Sequence, residues 1–263
     1  MLTKYQVARD AEPQVSLLLF AIAASIGLWI LSMFLPFVSY VLYPLQLFAT
    51  FVHEGGHVLA TLVTGNSVQS MSVAPDTSGA VFSQTTGWLA PLFISSAGYL
   101  GTTLFGAGLL AWLRYGFNSR VALYGSAGSV AVLTVLFGLF APIFSFFATV
   151  TVGGVFFTLI SGAFLAAALF LIAKFASLKW ANFALAFLAV QCLLNAIFSI
   201  VDLFFIASFT DTHSDAANMA AATGIPAVIW AVLWFGISAA IIFAGIRIYA
   251  VKKGKSPDLL FND

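Results

Sequence analysis

Long apolar stretches follow one another along almost the whole of this chain. Each is about as long as the roughly 20 helical residues needed to cross a bilayer core. None alternates apolar and polar residues, as the strands of a membrane barrel would. The stretches cover approximately residues 15–43, 44–64, 88–113, 121–143, 147–173, 180–209 and 225–250. The pattern predicts an all-α polytopic membrane protein with six or seven transmembrane helices.

The low content of charged residues supports lipid as the solvent. Charged residues make up 7% of the 263 residues and hydrophobic residues 62%, whereas a soluble domain carries about 25% charged residues. Such a chain cannot cover a water-exposed surface with polar groups. Its net charge of +1 argues against a nucleic-acid partner. Its single cysteine, Cys192, excludes a disulfide framework within the chain and a cysteine-based zinc site.

The chain divides into three predicted parts. A polar segment at 1–14 precedes one helical membrane domain at 15–250, which would contain the functional site, and a basic, then polar tail follows at 251–263. The first apolar stretch is too long for a signal-peptide core, so it is expected to remain as an anchor.

The positions of lysine and arginine predict an orientation in the membrane. The later basic residues share one side if every later stretch crosses, and the positive-inside rule makes that side cytoplasmic. We therefore expect a cytoplasmic C-terminus, in a bacterial inner membrane. Lys4 and Arg9 lie outside if segment 44–64 crosses and inside if it does not.

Two polar connections carry further predictions. Residues 65–87 form either a short β-hairpin, with its turn at 75–79, or an ordinary loop. In the second connection, Ser214 is a suitable cap for a short helix beginning at Asp215. The last apolar stretch starts after this helix, near Pro226.

The motif His53-Glu54-Gly55-Gly56-His57 lies inside the second apolar stretch. Two histidines four residues apart share one face of a helix, so both imidazoles can bind one metal ion. The intervening glutamate is not a ligand, and it accepts a proton from the water on the metal. Zinc lowers the pKa of that water from about 15.7 to roughly 7 and polarises a peptide carbonyl. The motif predicts a zinc protease with Glu54 as its acid/base and His53 and His57 as ligands.

Coincidence is the alternative explanation of this motif, because HExxH strings also occur by chance in soluble helices. The chain has three histidines and two glutamates in all, and two of those histidines and one glutamate fall within five residues. Ionisable residues inside a membrane segment are costly and usually functional. Gly55 and Gly56 weaken a helix, and they leave space for another backbone to approach closely. These points favour the metal site.

A catalytic zinc site needs a third protein ligand. No glutamate follows Glu54, which excludes proteases whose third ligand is a downstream glutamate. Ala60 and Val63 stand where the metzincin pattern has glycine and histidine, which excludes that class as well. The candidates before the tail are Asp76, Asp202, Asp211, His213 and Asp215.

Each candidate also has a purely structural explanation. Asp76 is most simply a turn residue. Asp202, one helical face from Asn195, is suited to a polar contact between helices, and Asp215 to the acidic start of a helix. His213 is suited either to binding the metal or to orienting a ligand. Asp215 is favoured as the third ligand, and Asp202 is the alternative.

These features resemble the site-2 protease family of intramembrane zinc peptidases, in particular a branch of small bacterial, fungal and plant members. The resemblance covers most of the chain. Its parts are the motif at 51–57, the hairpin-like segment 67–84, the glycine-bearing segment 96–101, Asp202 after Asn195, and Ser214-Asp215-Ala216 leading to Ile225-Pro226 and Trp230. Better-known members carry their aspartate in Leu-Asp-Gly or Asn-Pro-Asp-Gly, and this chain has neither sequence. It also has no inserted PDZ-like domain.

The resemblance implies an intramembrane metalloprotease that hydrolyses peptide bonds in or near the transmembrane segments of other membrane proteins. His53 and His57 would be zinc ligands, Glu54 the catalytic residue, and an aspartate on a later helix would complete the site. The hairpin would edge the cleft and pair with an unwound substrate segment, and the glycine-bearing segment would pack against the HExxH helix. The alternatives are a non-catalytic metal-binding membrane scaffold of the same fold and a transporter, although few charges inside the spans support the latter.

Overall fold

The computed structural model describes residues 12–209 and 214–250, which form a helical bundle carrying one β-hairpin. The helices are α1 (Glu12–Phe34), α2 (Ser39–Val63), α3 (Ala90–Arg114), α4 (Ser119–Val132), α5 (Ala141–Phe144), α6 (Val152–Phe175), α7 (Leu178–Phe209), α8 (Asp215–Thr223) and α9 (Ala227–Ala250). Strands β1 (Ser67–Val73) and β2 (Gly79–Gln84) form the hairpin. A 3₁₀ turn at Pro36–Val38 precedes α2, and a π-helix at Leu133–Phe140 joins α4 to α5.

Six helical segments of the described part are long and apolar enough to cross a membrane, which confirms the predicted fold class. They are Ser16–Phe34, Ala90–Arg114, Ser119–Phe144, Val152–Phe175, Leu178–Ser208 and Ala227–Tyr249. Helix α2, which carries the HExxH motif, is not among them. Helix α2 packs against α3, α7 and both strands of the hairpin.

The break between α1 and α2 corrects the predicted boundary at residues 43 and 44. The helix ends at Phe34, and Leu35 takes an extended conformation because the following residue is Pro36. Helix α2 begins at Ser39 and contains Pro44 in its second turn. Pro36 therefore interrupts the chain, whereas Pro44 removes only one backbone hydrogen bond from the continuing helix.

Helices α1 and α7 run in the same direction. Phe20 packs against Phe183 with their ring centroids 5.5 Å apart, and Trp29 stacks on Phe198 at 5.4 Å. From the first pair to the second, the residue number rises along both helices. Helix α1 therefore begins at the same end of the bundle as α7. This geometry corresponds to the predicted alternative in which segment 44–64 does not cross.

Helix α9 runs parallel to α3. Ser96 accepts a hydrogen bond from the Trp234 indole at 3.1 Å, and further along both helices Thr103 donates to Ser238 at 3.0 Å. Helix α9 therefore ends beside the end of α3, at Arg114. We name this the basic end of the bundle, and we name the opposite end, where the hairpin joins α2 to α3, the hairpin end.

The segment at 67–84 is an antiparallel hairpin, as one of the two sequence interpretations predicted. Asp76 is a turn residue, because its carboxylate accepts hydrogen bonds from the amide and the hydroxyl of Ser78 at 3.0 and 2.6 Å. These bonds hold the pKa of Asp76 below its usual value. Thr50 of α2 donates to the carbonyl of Thr77 at 2.6 Å, so the turn is fixed against the HExxH helix.

The π-helix lies against both the hairpin and the HExxH helix. Its Leu133 side chain is so near Gly55 that a β-carbon there would lie 2.9 Å from Cδ1 of Leu133. The neighbouring helix α6 holds β1, because Thr158 Oγ1 accepts a hydrogen bond from the amide of Val73 at 2.9 Å. Together these contacts hold the hairpin beside α2.

The main core surrounds these elements. Phe51, Met71 and Leu185 are fully buried and bring α2, β1 and α7 into one cluster. Cys192 is also fully buried, as expected of a small apolar side chain.

Candidate metal centre

The two motif histidines lie side by side on α2. Their Nε2 atoms are 3.0 Å apart, because residues four apart share one helical face. The Nδ1 atom of His57 lies 2.7 Å from the carbonyl oxygen of Ile94, in the first turns of α3. A hydrogen bond donated from Nδ1 leaves Nε2 as the atom that can bind a metal.

Helix α8 brings Asp215 to the same point. Its Oδ2 atom is 3.4 Å from Nε2 of His53 and 3.2 Å from Nε2 of His57. The helix begins as the sequence predicted, because the Ser214 hydroxyl accepts a hydrogen bond from the amide of Ala217. This cap fixes the first turn of α8, which carries Asp215.

The described alternatives for a third ligand, Asp76 and Asp202, do not join the two histidines. Within the described ranges 12–209 and 214–250, the group of histidine, cysteine and acidic residues able to share a metal consists of His53, His57 and Asp215. Asp202 lies on α7 and lines the same cavity without joining this group. Asp211 and His213 fall outside the described residues.

The donor set suits zinc. Two imidazole nitrogens and one carboxylate oxygen are common ligands of a catalytic zinc ion, with bond lengths of about 2.0–2.2 Å. A tetrahedral arrangement of such bonds separates the ligand atoms by about 3.3 Å. The three observed separations, 3.0, 3.2 and 3.4 Å, are close to that spacing.

The electrostatics also suit a metal ligand at Asp215. Burial by itself would raise the pKa of the Asp215 carboxyl, but the imidazoles of His57 and His53 outweigh it and hold the pKa well below its usual range. The carboxyl is therefore ionised at neutral pH, which is the form that binds a metal.

Glu54 is buried beside this group and faces the hairpin. Only 4% of the residue is exposed. A β-carbon on Gly79, the first residue of β2, would overlap the Glu54 carboxylate. The glycine therefore makes room for the carboxylate. The sequence alone predicts residue 79 only as part of a turn, because its role depends on a contact between distant segments.

Two close approaches join α2 to α3, as the resemblance implied for segment 96–101. A β-carbon on Gly56 would overlap the carbonyl oxygen of Ala97. A β-carbon on Gly98 would overlap Nε2 of both His53 and His57. Tyr99 follows and meets the His53 ring edge-on, with the ring centroids 4.7 Å apart. Gly98 thus lies directly against the histidine nitrogens, which no sequence pattern indicated.

Replacement of Gly98 by alanine is expected to weaken zinc binding by at least about tenfold, since overpacking costs about 1–3 kcal/mol. The added methyl group would overlap Nε2 of both histidines, the atoms that would bind the metal. Metal content after equilibration with limiting zinc measures the effect. Gly108 on the same helix is the matched control, because its β-carbon would meet nothing within 4 Å. Equal loss of zinc in Gly98→Ala and Gly108→Ala would contradict the steric explanation.

The metal group lies at the wall of a cavity of about 870 Å³. Helix α2 contributes Thr50 and Glu54, the hairpin contributes Thr77 to Ser83, and α7 contributes Asn195 and Asp202. Asn218, one turn beyond Asp215, also faces this space. The cavity is large enough for several residues of an extended peptide.

A protein-family model described as Peptidase M50B-like matches residues 19–245 of the chain. The match includes the HExxH motif, the hairpin, Asp202 and Asp215. No curated protein and no solved structure matches the chain.

Proposed function

Since the chain belongs to the Peptidase M50B-like family, which confirms the resemblance to site-2 proteases, we propose that it is an active intramembrane zinc metalloprotease. Its substrates would be membrane proteins, cut in or near their transmembrane segments. One observation carries the proposal: His53, His57 and Asp215 converge beside Glu54 within an apolar helical bundle.

His53, His57 and Asp215 are the proposed zinc ligands. When bound, zinc would supply a Lewis acid for a peptide carbonyl and would lower the pKa of a water molecule. The chain's own contribution is to hold three donor atoms in place and leave one side open to the cavity. The hydrogen bond from His57 to Ile94 and the cap at Ser214 keep two of these ligands oriented.

Glu54 is the proposed acid/base. Its carboxylate would accept the proton of the attacking water and would then give it to the nitrogen of the leaving amine. The carboxylate lies next in sequence to a proposed ligand and is shielded from solvent. Gly79 lies against it, so the hairpin limits where the carboxylate can point.

The hairpin is the proposed binding edge for the substrate. Strand β2 pairs with β1 on one side, and its residues from Gly79 to Ser83 line the cavity. An intact substrate helix keeps its backbone groups in internal hydrogen bonds. A locally unwound segment could instead pair with β2 and present a peptide bond to Glu54.

Replacement of Gly79 by alanine is expected to lower cleavage while zinc remains bound. The methyl group would displace the Glu54 carboxylate, and misplaced general-base catalysis costs up to about 10²–10⁴-fold in rate. Cleavage rate and zinc content are measured on the same preparation. The result should differ from that of Gly98→Ala, which is expected to lose zinc. Loss of zinc in the Gly79 variant would contradict this division of roles.

Cleavage by the purified protein in liposomes tests the proposed function. A model single-span protein serves as substrate, and mass spectrometry identifies its products. A zinc chelator should stop cleavage, and added zinc should restore it, because metal binding is reversible. Cleavage that continues in the metal-free protein would exclude a zinc protease. Bound zinc with no cleavage of any spanning substrate would favour the non-catalytic scaffold.

The finer location is also a proposal. The six spans make the chain an integral multi-pass membrane protein. We place it in a bacterial inner membrane with its C-terminal end in the cytoplasm, because Arg247 lies in the last turn of the last span and lysines follow that span.

A further inference from the structure

Every described lysine and arginine lies near the basic end of the bundle. These residues belong to α3, α4, α6, α7 and α9, each within about two turns of the helix end that lies there. They are Arg114, Arg120, Lys174, Lys179 and Arg247. Helix α9 runs parallel to α3, and α1 runs parallel to α7. Ser119, just after α3, donates a hydrogen bond to Asn182 in the first turns of α7, which brings the two pairs to this one end.

The remaining basic residues are adjacent in sequence to helix ends that lie at the basic end. Lys4 and Arg9 precede α1, and Lys252, Lys253 and Lys255 follow α9. The segments that connect helices at the hairpin end, residues 35–89, 145–151 and 210–226, contain neither lysine nor arginine. By the positive-inside rule, this uneven distribution of lysine and arginine indicates that the basic end faces the cytoplasm.

The metal group lies near the hairpin end. His57 contacts Ile94, close to the start of α3, whereas Arg114 ends the same helix. A rise of 1.5 Å per residue separates these two positions by about 30 Å, which is the thickness of a bilayer core. Asp215 belongs to a helix between α7 and α9, in the connection at the hairpin end.

We propose that the metal centre opens to the side of the membrane away from the cytoplasm. The enzyme then cuts its substrates in the non-cytoplasmic half of their membrane segments, a consequence that rests on the proposed protease function. The HExxH helix is less apolar than the six spans, and its C-terminal half, which carries the motif, lies at that end together with the hairpin. Water for hydrolysis would therefore enter from the non-cytoplasmic side.

Cysteine labelling tests the orientation without any need for activity. The variants Ser67→Cys, at the hairpin end, and Tyr115→Cys, at the basic end, are made in a Cys192→Ala background, and both positions are exposed. A membrane-impermeant maleimide is added to spheroplasts and to inside-out vesicles. We expect Ser67→Cys to react in spheroplasts and Tyr115→Cys only in inside-out vesicles. The reverse pattern, or equal labelling from both sides, would overturn the proposal.

The site of cleavage is the second measurement. A single-span substrate of known orientation is expressed with the enzyme, and the masses of its fragments locate the cut. We expect the cut in the non-cytoplasmic half, and a cut in the cytoplasmic half would overturn the inference. The expected labelling without any cleavage would contradict the proposed function and still support the orientation.

A second cavity, of about 400 Å³, lies between α1, α2 and α7. It shares Thr77, Asn195, Ser199 and Asp202 with the cavity at the metal group, so the two spaces adjoin. Substrate bound at the hairpin could therefore extend a side chain into the second cavity.

Asp202 is the charged residue of this second cavity. Its carboxylate has no hydrogen bond or ion pair with any residue of 12–209 or 214–250, and the residue is exposed to the two spaces. An ionisable group inside a membrane bundle usually has a partner or a function. Gln191 and Asn195 extend the same polar face of α7 along the cavity.

Apolar side chains form part of the wall of the second cavity. Trp29, Leu42, Leu194 and Phe198 line it, and the Trp29 ring stacks on Phe198. An aliphatic stem suits such walls, and a cationic head suits a carboxylate beside amide oxygens. We infer that this cavity is a subsite for a lysine or arginine side chain of the substrate, with Asp202 determining the preference.

Paired peptides test the subsite. Spanning peptides that carry either lysine or norleucine at each position near the cut are bound to the Glu54→Gln variant, so that binding is measured without turnover. We expect one lysine position to increase affinity about tenfold, a usual value for a charge-assisted hydrogen bond. The preference should vanish in Glu54→Gln/Asp202→Asn and persist in Glu54→Gln/Ser199→Ala. Equal binding of lysine and norleucine at every position would overturn the subsite. If binding is selective for lysine but the original chain, which retains Glu54, does not cleave the peptides, only the proposed protease function is contradicted.

Discussion

Replacement of Glu54 by glutamine is expected to abolish measurable cleavage of a membrane-spanning substrate while zinc remains bound. Glutamine keeps the size of the side chain but cannot accept the proton of the attacking water. General acid–base catalysis contributes about 10²–10⁴-fold, so a loss of this size is the expected result. Fragment formation, followed by mass spectrometry over hours, measures it.

Zinc content is the control for this variant. Glu54 is not one of the three residues that converge on the metal position, so stoichiometric zinc is expected in Glu54→Gln. Equal cleavage by the original chain and by Glu54→Gln would exclude Glu54 as the acid/base. Loss of zinc from the variant would instead make it a ligand or a support for one.

Replacement of Asp215 by asparagine is expected to lower zinc affinity by at least about 100-fold. Even the removal of groups that only orient a ligand costs about 10–100-fold, and Asp215 is a proposed ligand. Asparagine retains the shape but loses the negative charge beside His53 and His57. Zinc content and isothermal titration on the metal-free protein measure the change.

Asp202→Asn is the matched control. It removes the same charge from the same cavity, and it leaves the three converging residues intact. Zinc binding should therefore be retained. Loss of zinc from Asp202→Asn together with full retention in Asp215→Asn would identify Asp202, the alternative predicted from the sequence, as the third ligand in place of Asp215.

Much of the fold could be predicted from local sequence. Continuous apolar runs determine spanning helices, since a backbone in lipid must satisfy its own hydrogen bonds. The hairpin and the cap at Ser214 depend on neighbours in sequence, so turn and capping preferences predicted them. The break at Pro36 was missed because the flanking residues are all apolar and a hydropathy pattern shows no interruption there.

The site was predictable only in part. The motif identifies His53, Glu54 and His57 because their spacing is local. The proximity of Asp215 depends on how α8 packs beside α2 and α3, which no pattern along the chain encodes. Gly79 and Gly98 act through the space that they leave for side chains on another helix. Such contacts are visible only when the helices are in place.

The distribution of the metal group along the chain has a consequence for biosynthesis. His53 and His57 belong to the second helix, whereas Asp215 opens α8, the helix before the last one. During synthesis the two histidines enter the membrane long before the aspartate is made. A nascent chain therefore holds an incomplete ligand set, and the full set exists only after almost the entire bundle has been inserted. In this way, the order of the helices delays assembly of the metal centre until the surrounding walls are present.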